Sequence, residues 1–324
     1  MTWCSEPMFA WEKRGLVFDV ARDGVGGWMQ HAALTPTPYR RPAEVLRVYA
    51  GFRDAQGVSR IGYVDVRADA PTQVVGVSAQ PVLDIGRDGC FDDNGMILGD
   101  VVDGPDGLYM FYVGFQQVAK AKFLAFTGLA VSTDGGDSFQ RRQETPLLDR
   151  APGRSTIAAV HSARFEDGVW RLWYAVGDAW EVIGGTPFPR YHIRYAQTED
   201  LQQIPRDDVV CLAPVGDEYR IGRPRVYRLG ERYLMYFTRG DIHGGYVPGF
   251  ADSHDGVHWT RDDSQLGLAL SQDGWDAHTL CYPALIQQDD RVLMFYNGNA
   301  MGRDGFGLAE APLPTQLQGR HVFG

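Results

Sequence analysis

One short run of apolar and aromatic positions, closed by polar residues, returns five times along the chain: LRVYAGFRD from Leu46, LYMFYVGFQ from Leu108, WRLWYAVGD from Trp170, YLMYFTRGD from Tyr233 and VLMFYNGNA from Val292. Aligning Tyr49, Tyr112, Tyr174, Phe237 and Tyr296 gives a period of about 60 residues, the mark of a repeat architecture. A second β-like segment follows each copy: RIGYVDV, TGLAVST, HIRYAQT, PGFADS and FGLAEA. Each repeat therefore holds at least one antiparallel strand pair. A short apolar strand is expected to leave each repeat, at Pro81–Asp84, Pro146–Asp149, Val209–Leu212 and Leu266–Leu270. Another opens the next one: HAALTPTP from His31, DNGMILGDVV from Asp93, HSARFED from His161, RPRVYRLG from Arg223 and YPALIQQD from Tyr282.

Four strands in each of five repeats predict an all-β chain, a five-bladed β-propeller with four antiparallel strands per blade. The expected unit is a single domain over residues 1–324, with blades near 31–84, 93–149, 161–212, 223–270 and 282–311. The last repeat stops after its third strand, and the segment 15–20 (GLVFDV) matches the missing one. This N-terminal strand is expected to join the last blade, close the ring and remove an exposed edge. STDGGDSF from Ser132 and SHDGVHW from Ser253 resemble Asp-box hairpins, with Asp134 or Asp255 bonding local amides and glycine taking the positive-φ position.

Composition narrows the partners. Among 324 residues, 31 Lys and Arg stand against 41 Asp and Glu, a net charge of −10 with no basic run, so neither a nucleic-acid backbone nor an anionic membrane surface is an expected partner. No apolar stretch approaches the roughly 20 residues that span a bilayer. The opening MTWCSEPMFAWEKRG lacks the pattern of a secretory signal, and Cys4, Cys90, Cys211 and Cys281 form no CxxC pair, so free thiols and a cytoplasmic location are expected.

In a propeller the first strand of each blade runs nearest the axis, so the residues opening those strands converge on one funnel. Here they are His31, Asp93, His161, Arg223 and Tyr282. The loops ahead of them add Trp28, Glu218, Arg220, Trp275 and His278, and Arg53 follows the second strand of the first repeat. Asp93 and Glu218 are candidates for an acid/base pair, although Asp93 also suits a turn-closing role in Asp-Asp-Asn-Gly and Glu218 suits pairing with Arg220 or Arg223. His31 and His161 can accept a proton near neutral pH. Arg53, Arg220, Arg223 and Arg225 suit a phosphate or carboxylate on the ligand, or pairing with Asp54, Asp93, Glu218 or Asp276. Trp28, Trp180 and Trp275 suit either sugar stacking or packing between blades. No motif fixes a metal site or a nucleotide-cofactor fingerprint.

The repeats, the Asp-box-like turns and the segments FDDNG, YHIRYAQTED, EYRIGRPRV, GWDAHTLCYP and MFYNGNAMGRDGFG resemble the five-bladed β-propeller superfamily of glycoside hydrolases. Within it the chain resembles a branch related to families 43, 32 and 68 whose members accompany surface-polysaccharide synthesis. The resemblance covers residues 15–313. It implies a carbohydrate-active enzyme of glycosidase type, with Asp93 in the position that orients substrate, Glu218 near the blade that supplies the acid, and His31 where the family carries an Asp base. It implies no cofactor beyond an axial calcium ion held by some relatives. The alternatives are a glycosyltransferase or tailoring enzyme using a sugar nucleotide, and a non-catalytic glycan-binding propeller.

Overall fold

The structure, a computed structural model, describes residues 7–42, 44–205 and 208–315, so Cys4 lies outside them. Strand β1 (Glu12–Asp19) leads through a helical turn into β2 (His31–Arg41), β3 (Val45–Arg53), β4 (Ser59–Arg67) and β5 (Val74–Val77). Next come β6 (Met96–Gly104), β7 (Gly107–Val118), β8 (Ala121–Ser132) and β9 (Gln140–Arg141), then β10 (Ile157–Glu166), β11 (Val169–Ile183), β12 (Thr186–Thr198) and β13 (Val209–Leu212). The chain continues with β14 (Glu218–Leu229), β15 (Arg232–Asp241), β16 (Tyr246–Ser253) and β17 (Trp259–Arg261), and closes with β18 (Cys281–Gln288), β19 (Arg291–Asn297) and β20 (Gly305–Pro312). Among the described residues helix is confined to a few short turns, and none is long and apolar enough to cross a membrane.

Sequence neighbours pair antiparallel. β2–β5 form an open sheet of their own, and β18–β20 take β1 as a fourth strand, with Glu12 opposite Glu310 and Asp19 opposite Gly305. β6 to β17 form one curled sheet, because short parallel contacts join β8 to β10 at Ala125 and Ile157, and β12 to β14 at Tyr191 and Arg220. β1 begins three residues before the expected Gly15 and ends where Asp19 accepts the Ala21 amide at 3.0 Å. Val17 and Phe18 are buried, and the Phe18 ring lies 5.8 Å from both Phe52 on β3 and Phe306 on β20. Side-chain packing thus joins the first sheet to the last.

The outer strands differ from expectation in three of the four repeats for which one was predicted. Pro81–Asp84 and Pro146–Asp149 are not outer strands. Each makes a single bridge back to the third strand, Leu83 to Ile61 and Leu148 to Thr127, while β5 and β9 take the outer edge. Leu83 and Leu148 are buried at these bridges, which are too short to be strands. Leu266 ends a 3-10 turn and Leu268 follows it, both in the core, while β17 takes that outer edge, and of the four predicted outer strands Val209–Leu212 is the one found in place.

The two Asp-box turns join β8 to β9 and β16 to β17. Asp134 accepts the amides of Asp137 (3.0 Å) and Ser138 (3.1 Å), and Asp255 those of Val257 and His258 (both 2.8 Å), with Gly136 and Gly256 at φ 93° and 76°. Each turn also fastens the preceding repeat. Gly136 offers its carbonyl to Tyr49 (2.8 Å) and Arg47 (3.0 Å), and Gly256 to the Trp173 indole (2.7 Å).

Each innermost strand carries an extra residue against its partner at one shared phase, and β2 and β14 carry a second near their starts, at His31/Ala33 and Glu218/Arg220. The shared register shifts fall at Leu34/Thr37 in β2, Leu98/Asp100 in β6, Val160/Ser162 in β10, Gly222/Arg225 in β14 and Cys281/Ala284 in β18. The bulged residues are Thr35, Gly99, His161, Arg223 and Tyr282. Thr35, Arg223 and Tyr282 have φ of 56°, 53° and 58°, and each precedes a proline, which has no amide to leave unpaired in the broken ladder. A bulge re-aims a side chain, and here it does so at one phase of five strands.

Arg223 exploits this. Its Nη1 donates to the carbonyls of Leu98 and Gly99 (2.8 Å to the latter) and faces His161 Nδ1 at 3.2 Å, and its Nη2 donates to Thr37 Oγ1 at 3.0 Å. One buried guanidinium so engages β2, β6 and β10 from β14. Beside it, Arg225 pairs with the buried Asp100, whose carboxylate also takes the amides of Val101 and Ala163 (both 2.9 Å). Burial first, then the two arginines, depress His161 well below the usual imidazole range. The imidazole is neutral and accepts at Nδ1, which leaves its proton on Nε2.

Two outcomes follow from this packing. Phe18→Ala empties a site shared by two sheets and lowers stability by about 3–5 kcal/mol, read as a fall in the urea midpoint. A loss below about 1 kcal/mol would contradict the clamping role of β1. Because His161 is neutral when folded and titrates near 6.5 when unfolded, its contribution is complete above about pH 6.5 and is lost as pH falls. His161→Asn therefore shows a shallower loss of stability than the parent between pH 7.5 and 5, by up to about 1.4 kcal/mol per pH unit. Parallel profiles would show that His161 is protonated within the fold.

Candidate functional site

A cavity of about 330 Å³ opens on one side of the axial arginine, at the lower end of the size range for small-molecule sites. Thr35, His161, Arg223 and Tyr282 reach it from the bulges. The parallel contacts that curl the long sheet supply one wall, because Ala125, Ile157, Tyr191 and Arg220 all line the cavity. Phe115, Phe123 and Phe188 add apolar surface from the extended β7–β8 and β11–β12 hairpins. Aromatic and aliphatic faces beside hydroxyl and guanidinium donors suit a ligand with C–H faces and oxygen edges, as a sugar has.

The charge in this cavity has one sign. Arg53, Lys122, Arg220 and Arg223 line it, and no Asp or Glu does among the described residues. The Arg220 guanidinium stacks 3.9 Å from the Tyr246 ring centre and 4.7 Å from that of Tyr219. Tyr191 and Tyr246 bring their hydroxyls to 3.3 Å. Burial pushes Tyr191, Tyr246 and Tyr282 well above the usual phenol range, so all three are neutral. Burial, then Arg225, lowers Arg223 to about 9, which still leaves it cationic at neutral pH.

Of the residues singled out from the sequence, His161, Arg223, Tyr282, Arg53 and Arg220 come together here. His31 and Asp93 do not, because strand starts are out of phase with the bulges, and the positions equivalent to His161 are Thr35 and Gly99. His31 is exposed at the end of β2, opposite Arg53. Asp93 closes its loop by accepting the Gly89 amide at 2.8 Å and a bond from Asn94, its neighbour, which does line the cavity.

Glu218 is buried and held by Arg261 at 2.7 and 2.9 Å, by Arg239 at 3.2 Å and by the Val215 amide at 3.0 Å, not by Arg220 or Arg223. Burial alone would raise its pKa. The Arg261 guanidinium and the Val215 amide outweigh burial and hold the carboxyl below its usual range. It is thus ionised at neutral pH, with no proton to give.

Trp28 donates to the Ala79 carbonyl at 3.2 Å, meets Phe52 edge-on at 5.6 Å and fills the space above Gly62. Trp275 packs 5.0 Å from Tyr296, over Gly298 and Gly307. Both are packing residues, while His278 is exposed and its amide binds Asn299 at 2.8 Å. Asp276 pairs with Lys13 at 2.6 Å and Asp54 with Arg60 at 2.7 Å, so neither meets the cavity arginines. No cluster of three or more His, Cys, Asp or Glu residues able to hold a metal ion occurs among the described residues.

Lys122, Tyr191, Tyr246 and Thr35 were not apparent from strand starts. A signal for Thr35 was present: Thr35-Pro36, Arg223-Pro224 and Tyr282-Pro283 share the bulge phase. Lys122, Tyr191 and Tyr246 lie where hairpin arms bend inward, and no periodicity marks that.

No protein-family model matches the sequence. Among solved structures, the chain is similar to a glycoside hydrolase at TM-score 0.69 and 16% identity, over 94% of this chain and 92% of that one. It is similar to a thermostable family-43 glycoside hydrolase at TM-score 0.65 and 15% identity, over 92% and 95% of the two chains. A member of the GH130 family, described as mannoside phosphorylases that include hydrolases of β-1,2 mannosidic linkages, matches at TM-score 0.65 and 14% identity over 99% and 97%. At such identities the likeness is one of fold, that of the β-propeller glycoside hydrolases. In sequence, the chain is 31% identical over 303 residues to the uncharacterized protein Rv1502 of Mycobacterium tuberculosis strain H37Rv, covering 93% of this chain and 98% of the relative. MT1551 of strain CDC 1551 matches to the same extent. The chain belongs to the family of these mycobacterial proteins.

Proposed function

We propose that the chain is a carbohydrate-active enzyme of glycosidase type, a single five-bladed propeller closed by β1, whose cavity receives a glycosyl group for hydrolysis or transfer. One observation carries this reading: on a fold shared with glycoside hydrolases, bulged inner strands bring hydroxyl, imidazole, guanidinium and aromatic groups to one cavity. Neutral His161 and Tyr282 serve as hydrogen-bond donors to sugar oxygens, and the aromatic wall covers the C–H face. Asp93 lies one residue from the wall at Asn94, and a role for it in proton transfer requires the loop that it closes on the Gly89 amide to open toward the ligand. Glu218 braces β14 against β15 and β17 through Arg239 and Arg261. The free Cys90, Cys211 and Cys281 support a cytoplasmic setting.

A second reading has its own support. With no carboxylate lining the cavity, departure of a sugar alcohol lacks a general acid there. A phosphorylated leaving group departs as a stable anion and needs positive neighbours instead. That favours transfer from an activated sugar, as in polysaccharide assembly.

Turnover of nitrophenyl glycosides, oligosaccharides and sugar nucleotides tests both readings. Asp93→Asn is expected to reduce kcat by at least about 100-fold, whereas Glu218→Gln chiefly lowers the unfolding midpoint, since it breaks a buried ion pair. Full activity in Asp93→Asn would remove that residue from catalysis. If no saccharide, neutral or charged, is bound or turned over, the carbohydrate reading falls.

A further inference from the structure

We propose that the group recognised in the cavity is a phosphate dianion on or beside the glycosyl ligand, and that Arg53, Lys122 and Arg220 bind it. This rests on the cavity being the glycosyl site. Several cations elsewhere in the chain are paired with carboxylates. Arg47 is neutralised by Asp65 and Asp137 at 2.8 and 2.6 Å, Arg60 by Asp54 and Asp84 at 2.7 Å each, and Arg261 by Glu218 and Asp263 at 2.7 Å each. Acidic residues are in excess, 41 against 31 basic ones. Yet no carboxylate lies within ion-pair distance of Arg53, Lys122 or Arg220 among the described residues.

Arg220 carries the point furthest. Both of its stacking partners are tyrosines, and the charged or polarisable groups that face it are Tyr246, Tyr191, Tyr219 and Tyr282. Its Nε is buried without a hydrogen-bond partner. Stacking satisfies the face of a guanidinium, and with Tyr191 bonding part of its edge the remaining N–H groups are left for an oxyanion. Arg223 adds a fourth positive charge to the same space, although its Nη1 and Nη2 are already engaged by the neighbouring strands. A carboxylate would offset one charge and offer two oxygens. A phosphate dianion offsets two and offers three, which matches two guanidinium edges and an ammonium.

Titration calorimetry on the full chain in a phosphate-free, low-salt buffer at pH 7.5 tests this with inorganic phosphate, glucose 1-phosphate, glucose and glucuronate. Inorganic phosphate and glucose 1-phosphate are expected to bind, more weakly as salt rises. Arg220→Gln and Lys122→Met are each expected to weaken binding at least about tenfold, a loss of some 1.4 kcal/mol. Lys122 is exposed, so its variant keeps the test independent of folding. Tighter binding of the sugar phosphate marks a glycosyl phosphate as the source, and equal binding marks free phosphate as a separate ligand. Glucuronate binding as tightly as phosphate, phosphate binding unchanged in both variants, or no phosphate binding at all overturns the proposal. Glucose or a neutral glycan binding without phosphate overturns it while leaving the glycosyl site intact.

Discussion

A buried guanidinium held by the carbonyls of its neighbours organises the centre of this molecule. Arg223 reaches those oxygens because β14 carries an extra residue at that point, and the carbonyls of Leu98 and Gly99 face it because β6 carries one too. Each bulge also breaks a ladder and frees amides, which must find other acceptors. Side chains of neighbouring inner or second strands supply them: Asn297 for Thr35, Thr238 for Tyr282, Ser162 for Val226 and Asp100 for Ala163, all at 2.8 to 3.1 Å. The cost of bulging one strand is therefore met by the repeat before it, and the repeats interlock near the axis through polar bonds.

This interlocking separates two uses of charge. Away from the cavity, guanidinium groups pair with carboxylates and brace one strand against another, as Arg225 does with Asp100 and Arg261 with Glu218. A carboxyl group so held stays ionised, which makes it a good brace and a poor proton donor. Around the cavity, cations meet aromatic rings and hydroxyls instead, and their charge remains open to a ligand. The same residue type thus serves stability or recognition according to what faces it.

The repeat of apolar-aromatic segments was enough to place most strands, because a strand buried on both faces shows as a dense apolar run whatever its partners. The Asp-box turns were equally legible, since Ser-x-Asp-x-Gly closes its hydrogen bonds within a few residues. The segments 81–84, 146–149 and 266–270 differ from expectation because a short buried apolar segment has the pattern of a strand whether or not it makes more than a single bridge. Asp93 and Glu218 stood out as carboxylates near strand starts, yet their partners, the Gly89 amide and Arg261, are set by loop closure and by a strand more than 40 residues away. Tyr191 and Lys122 gave no signal, because their place on the cavity wall depends on how far two hairpins extend and bend.

By itself, the sequence determined the inner strands of each repeat and their order, the hairpin turns, one outer strand at Val209–Leu212 and the N-terminal segment that pairs with β20, all of them outcomes of local propensity and hydrophobic pattern. It also marked three of the bulges through Thr35-Pro36, Arg223-Pro224 and Tyr282-Pro283, since proline leaves no amide to pair. Tertiary structure alone decided which side chains face the axis and which cations go unpaired. Those outcomes depend on register between strands roughly 60 residues apart, where one extra residue turns a side chain from the rim to the centre.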